Sequence, residues 1–373
     1  MSEGAQGGPA ALSPARIAAL LAPLASAKGL LLAVSGGPDS TALLILAARW
    51  AAAGGRPPVA VATVDHGLRA GAAAEAEAVA ALARRFGLPH HRLEWTGPRP
   101  KSRIQELARA ARYALLGACA RGIGADVVVT AHHADDQAET VLFRLLRGSG
   151  IGGLAGMAPA VPLGTLTLAR PLLALPKRAL VEICAAEGVG FAEDPSNADP
   201  RFARTRLRRL TALLAAEGLG GAEIARLARR AGQIDEAVAV QAQAAAARLG
   251  WTRPAEARDA RALFAEPIEI VQRLLAADIA RVGGDASRRL RLEAIETTAR
   301  ALCEAQAAGR ALRANIGGAS VELSAAGALR IVPEAPRRRP GARRADHAAA
   351  QTPAAGGATI LRNAGPGTAA LNR

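Results

Sequence analysis

The stretch LLLAVSGGPDSTALLIL, Leu30 to Leu46, constrains the fold more than any other part of the chain. Two apolar blocks flank six small or turn-forming residues, Ser35-Gly36-Gly37-Pro38-Asp39-Ser40. The first block, Leu30 to Val34, is an apolar run of strand length. The second, Ser40 to Ala53, has helical spacing. The following residues continue the strand-and-helix pattern. PPVAVATVDHG predicts a strand over Val59 to Val64, HHRLEW a short strand, and ADVVVTAHH a strand over Val127 to Thr130. Helices are predicted over Glu75 to Phe86, with Gly87 as the stop, over Ile104 to Arg121, and from Asp135 to Leu146. Strands alternating with helices predict an α/β fold, a doubly wound parallel sheet with helices on both faces.

With 373 residues the chain exceeds one typical core, so further domains are expected. Residues 1–27 read as an N-terminal tail and a short helix from Pro14, and 28–214 as the α/β domain. GAEIARLARRAGQIDEAVAV and EPIEIVQRLLAADIARVGG have helical periodicity, and ASVELSAAGALRIV alternates around Ala326-Gly327 as a hairpin does. A smaller helical domain ending in a hairpin is therefore expected over 215–332. The Pro-, Gly- and Arg-rich residues 333–373 are expected to form a basic disordered tail.

Lys and Arg number 47 against 32 Asp and Glu, a formal net charge of +15. A field of that sign favours a polyanionic partner, nucleic acid first, although an Arg-rich coding bias also raises basic content. Cys119, Cys184 and Cys303 are isolated, which argues against a disulfide framework or a zinc site. No cationic segment precedes the first apolar run, and no run of about 18 uncharged apolar residues occurs, so a cytoplasmic location without membrane contact is expected.

The junction Ser35–Ser40 carries chemistry. A helix opening just after a parallel strand offers N–H groups and a positive dipole end, which suit phosphate. Gly36 and Gly37 let the backbone approach a ligand, and Ser35 and Ser40 offer hydroxyls. Asp39 either caps the helix or holds Mg²⁺ on phosphates. A GxxxxGK[ST] loop is absent. Two other strand ends add candidates. VDHGLR places Asp65 and His66 after the second strand, where they either line a nucleotide pocket or form a capping turn. TAHHADDQAET places His132 and His133 at a strand end, with Asp135, Asp136 and Glu139 opening the next helix. Asp136 and Glu139 share one helix face. They could hold an ammonium, complement the helix dipole, or join His in a metal site. Arg109, Arg112 and Tyr113 lie on one helix, and five arginines between Arg201 and Arg209 suit a phosphate backbone.

SGGPDS resembles the PP-loop of the ATP pyrophosphatase class, whose members adenylate a substrate and release pyrophosphate. Together with VDHGLR, the IQE…ARxxRY helix, TAHHxDDQAET…RxxRGSG and EDPSN followed by arginines, the chain resembles the tRNA(Ile)-lysidine synthase family over residues 30 to 210. Thr205 stands where that family usually has Asn. The resemblance implies ATP and Mg²⁺ as cofactors, and L-lysine and a tRNA(Ile) with a CAU anticodon as partners. A homodimer is compatible with it. The implied reaction joins lysine to C2 of the wobble cytidine through an adenylated C2 oxygen. The implied ATP site comprises Ser35, Gly36, Gly37, Pro38, Asp39, Ser40, Asp65 and His66, with Mg²⁺ on Asp39. Asp136 and Glu139 would hold the lysine, Arg112 and His133 would flank the adenylate, and Arg204 and Arg208 would contact tRNA. A PP-loop sulfur-transfer enzyme acting on tRNA, or another adenylating ligase, is the alternative.

Overall fold

In the computed structural model the described residues are 12–65, 72–95, 104–192, 203–251, 257–284, 290–335 and 360–361. The chain divides into two units. One comprises Met1–Phe143, Gly156–Leu227 and Thr352–Arg373, the other Arg144–Ala155 and Ala228–Gln351.

The first unit begins with α1 (Pro14–Leu21), capped by Ser13, whose Oγ accepts the Arg16 N–H at 3.3 Å. It continues with β1 (Leu30–Ala33), α2 (Pro38–Ala52), β2 (Val59–Asp65), α3 (Ala72–Arg85), β3 (His90–Glu94), α4 (Ile104–Gly122), β4 (Val127–Val129) and α5 (Ala134–Leu145). The short α6 (Ile151–Leu154) belongs to the second unit. The chain returns as β5 (Ala160–Leu163), β6 (Leu166–Ala169), α7 (Lys177–Ala186) and α8 (Ala203–Ala216), followed by α9 (Gly221–Arg248). Most bounds lie within a few residues of those expected. The hairpin partner β5 falls in a segment, Ala160–Leu163, for which no strand was expected.

β1 lies inside a seven-stranded sheet with neighbours β2 and β4, both parallel to it. Leu30 is in register with Val59 on one side and Val127 on the other. β3 extends the parallel run beyond β2, and β6 extends it beyond β4. The edges are antiparallel: β5 on β6, and the two-residue β11 (Ile360–Leu361) on β3. Those two residues are ordered as a strand within the expected disordered tail. Residues 336–359 and 362–373 lie outside the described ones.

Each face of β1 feeds a different core. Leu30 and Leu32 pack with α1, α2 and α7, while Leu31 faces the opposite core with Leu116, Cys119 and Ala120 of α4. All three leucines are at most 1% exposed. That two-sided burial is why the strand shows no polar alternation. α2 is buried along most of its length, from Ser40 to Ala48, which fixes its first turn firmly at the end of β1.

The second unit holds α10 (Arg261–Phe264), α11 (Ile268–Gly283), α12 (Leu292–Ala307) and most of α9. Its strands are β7 (Arg258–Asp259), β8 (Leu312–Ile316), β9 (Ala319–Leu323) and β10 (Ala328–Pro333). The expected hairpin is present as β9–β10, and it is the centre of a four-stranded sheet in the order β7-β10-β9-β8. Val271, Leu275 and Ile279 of α11 pack with Ala319, Val321 and Leu323 of β9 in one core.

Candidate active site

β1 leads on to β2 and β3 on one side, whereas β4 and β6 lie on the other. The strand order therefore reverses between β1 and β4, and in open α/β sheets the carboxyl ends at that reversal are where ligands bind. A cleft opens there. It is lined by Ser35, Gly37, Asp39 and Ser40 after β1, by Val64 at the end of β2, and by Thr130, Ala131, His132 and Asp136 after β4. Arg109, Arg112, Tyr113 and Leu116 of α4 complete it.

The loop between β1 and α2 is held by its own side chains. The Ser35 N–H donates to Ser40 Oγ at 3.1 Å, and the Ser40 hydroxyl donates to the Gly37 carbonyl at 3.1 Å. With its proton so used, Ser40 Oγ accepts the Ser35 hydroxyl at 3.3 Å. Gly36 has φ +87°, a conformation side chains with a Cβ rarely adopt. Its carbonyl accepts the Ala192 N–H at 2.9 Å. Pro38 occupies the first helical position, and no side chain caps α2. The first-turn N–H groups are thus left for a ligand at the positive end of a buried helix.

Asp39 follows in that first turn. Its Oδ2 lies 3.5 Å from His133 Nε2 and 3.9 Å from Lys177 Nζ. Its Oδ1 is buried with no hydrogen-bond partner. A buried carboxylate oxygen without a donor fits a cation better than a helix cap. Among the described residues no group of three or more His, Cys, Asp or Glu could hold a metal alone. Mg²⁺ binds through one or two carboxylates together with waters and substrate phosphates. Asp39 is therefore the residue that would hold the implied ion.

The β4 end meets the loop through His133, which is 3% exposed. Its Nε2 lies 3.4 Å from Asp136 Oδ2, and its Nδ1 lies 3.4 Å from Asp135 Oδ2. Asp136 Oδ2 also accepts the His133 N–H at 3.2 Å, the third residue of α5 reaching back to the residue that precedes the helix. Burial, the largest influence on His133, pulls its pKa down. Hydrogen bonds to Asp135 and Asp39 and the charges of Asp136 and Asp39 outweigh it, raising the value to about 9. The bond to His133 in turn lowers Asp135 to about 2.

Because the folded value lies above the ordinary 6.5, the charged ring stabilises the fold fully below pH 6.5, and this contribution is lost as pH rises through about 9. At about 1.4 kcal/mol per unit, the loss is of order 3 kcal/mol. His133→Gln should flatten that alkaline decline in urea denaturation across this range. A mutant curve parallel to the parent's would refute the charged assignment.

The implied site residues divide on this geometry. Ser35, Gly37, Asp39, Ser40, Arg112 and Asp136 line the cleft. Gly36 and Pro38 shape the loop behind them. His133 is buried between three carboxylates, and the residue of the pair that lines the cleft is His132, its Nδ1 2.8 Å from Thr130 Oγ1. Glu139 is 6% exposed, one turn beyond Asp136, and is absent from the lining. Asp65 Oδ2 accepts from Arg92 Nη2 at 2.9 Å and also lies off the cleft. His66 lies outside the described residues, as do the side chains of Arg204 and Arg208 on α8. Lys177 was not singled out from the sequence. Its one signal there is rarity, since Lys28, Lys101 and Lys177 are the only lysines among 47 basic residues.

A family model described as a PP-loop domain matches residues 11–214. A tRNA(Ile)-lysidine synthase from Methylobacterium nodulans is 54% identical over 317 residues, covering 84% of this chain and 92% of that protein. One from Bradyrhizobium sp. is 46% identical over 347 residues, covering 88% and 97%. Among solved structures, the U34-tRNA thiolase NcsA from Methanococcus maripaludis matches with TM-score 0.50 and 15% identity over 59% of this chain and 78% of that one. That likeness shows the fold. With identity near one half over nearly the full length of these relatives, and with the loop and strand ends arranged as described, the chain belongs to the tRNA(Ile)-lysidine synthase family of PP-loop proteins.

Proposed function

We propose that the chain is a cytoplasmic ATP-dependent ligase that joins L-lysine to C2 of the wobble cytidine in the CAU anticodon of tRNA(Ile). The observation that carries this reading is the meeting of the Ser35–Ser40 loop with His133 and Asp136 at the β1/β4 reversal. A phosphate-binding turn and an acidic turn face one cleft there, so a nucleotide and an ammonium can be held side by side.

In the first step the cytidine C2 oxygen bonds to the α-phosphorus of ATP, and the bond to the bridging oxygen breaks with its electron pair on pyrophosphate. The first-turn amides of α2 are placed to meet the growing phosphate charge. Asp39, with Asp136 nearby, would hold Mg²⁺, which neutralises phosphate charge when bound. Arg112, which lines the cleft, would pair with the adenylate. In the second step the lysine ε-amine bonds to C2, the C2–O bond breaks, and AMP departs with that electron pair. Asp136 orients the incoming ammonium and accepts its proton. His133, held between Asp39 and Asp136, keeps those two carboxylates in register.

The formal charge of +15 supports an RNA substrate. Burial pushes the Cys119 and Cys184 thiols up to about 11, and no cysteine lines the cleft. Sulfur transfer needs a reactive thiolate, so the ligase reading is favoured. Among the described residues no helix is long and apolar enough to cross a membrane. Incubation with ATP, labelled lysine and tRNA transcripts tests the reading. Label should enter the CAU transcript, and a transcript with a changed wobble base should take none. Equal labelling of both, or of neither, would refute it.

A further inference from the structure

Lys177 opens α7, and α7 is tied to the phosphate-binding loop at several points. The Lys177 N–H donates to Asp135 Oδ2 at 2.8 Å. Cys184 Sγ donates to the Pro38 carbonyl at 3.4 Å. Just past the helix, the Ala192 N–H donates to the Gly36 carbonyl. Leu180 and Ile183 share one core with Leu43 and Ile45 of α2. The start of α7 is thereby fixed relative to Asp39.

The Lys177 ammonium stands 3.9 Å from Asp39 Oδ2, beyond hydrogen-bond distance, and the side chain is 42% exposed. Its three donors therefore remain available beside a carboxylate that lines the cleft. The local charge calls for such a cation. Asp39, Asp135 and Asp136 cluster at this end, and His133 is enclosed among them. Arg109 and Arg112 reach the cleft from α4, which covers the opposite face of the sheet. On the α7 side a triphosphate entering over the loop would pass close to the Asp39 carboxylate, and Lys177 is the cation that stands beside it there. An exposed side chain on a fixed backbone can turn from Asp39 to a phosphate without moving the fold.

We propose that Lys177 contacts the β- and γ-phosphates of ATP and pairs with the departing pyrophosphate. This rests on the adenylation reading above. As the α-phosphorus bonds to the cytidine oxygen and releases the bridging oxygen, the electron pair lands on pyrophosphate, where the ammonium meets the added charge. No proton is transferred. AMP lacks these phosphates, so Lys177 distinguishes pyrophosphate from AMP.

Titration calorimetry of pyrophosphate and of AMP, each with Mg²⁺, into the full chain tests this with Lys177→Met and Lys177→Arg. Lys177→Met should weaken pyrophosphate binding by about tenfold or more while AMP stays within about twofold, and Lys177→Arg should recover most of the loss. Pyrophosphate affinity unchanged in Lys177→Met would overturn the assignment. So would equal weakening of both ligands with a lowered Tm, which would mark a structural ion pair to Asp39. Lysine incorporation by the parent is measured in parallel. Incorporation with unaltered pyrophosphate binding in Lys177→Met discards Lys177 alone. Selective loss of pyrophosphate binding without parental incorporation keeps the phosphate contact and discards the lysine reaction.

Discussion

Asp39→Ala is expected to lower ATP-dependent incorporation of labelled lysine into the CAU transcript by about a thousandfold or more, the scale of losing a preorganised charge contact at a reacting centre. Asp39 has three partners to lose: the ion it would hold on the phosphates, Lys177 at 3.9 Å, and His133 at 3.5 Å. Its Oδ1 is buried without a donor, while its Oδ2 supplies one part of the carboxylate support for the charged His133. His133 keeps Asp135 and Asp136 in the variant, so no buried charge is stranded, and the thermal midpoint should move by only a few degrees. Parent-like incorporation by a folded Asp39→Ala protein would remove Asp39 from the ATP site.

Asp136→Asn is expected to raise the KM for lysine by about tenfold to a hundredfold, the range for a hydrogen-bonded charged partner, while the KM for ATP stays within about threefold. Asparagine retains an oxygen that can accept the His133 N–H, so the start of α5 persists and only the charge is removed. Glu139→Gln should raise the lysine KM by less. Glu139 lies one helical turn deeper, 6% exposed, and does not line the cleft. An unchanged lysine KM in both variants would end the assignment of this helix face to the ammonium.

The parallel α/β core was legible in the chain because its cause is local. Leu30 to Leu32 form an unbroken apolar run, since both of their faces are buried, and the turn residues Ser35–Ser40 mark where that run must end. The hairpin around Gly327 was legible because ASVELSAAGALRIV alternates apolar and polar residues around a turn, although β9 itself is buried at four of its five positions. β7 and β8 were not. β7 has only two residues, and both β7 and β8 are held as strands by pairing with that hairpin. The assignment of 144–155 to the second unit was equally invisible, because no turn or charge pattern in GSGIGGLAG records which core it joins.

The sequence by itself determined the class of chemistry: a phosphate-binding turn after a buried strand, an acidic turn after another, and the family that carries both. Only the tertiary structure decided which side chains share the cleft. His132 and His133 are adjacent and chemically alike, yet one lines the cleft and the other is locked among Asp39, Asp135 and Asp136. Lys177 lies 138 positions after Asp39, a separation that no local pattern spans. The two meet because the packing of α7 on α2 brings the start of one helix beside the start of the other. Periodicity records which face of an element is buried, whereas the direction of a polar side chain at a strand end depends on what the remaining chain packs around it.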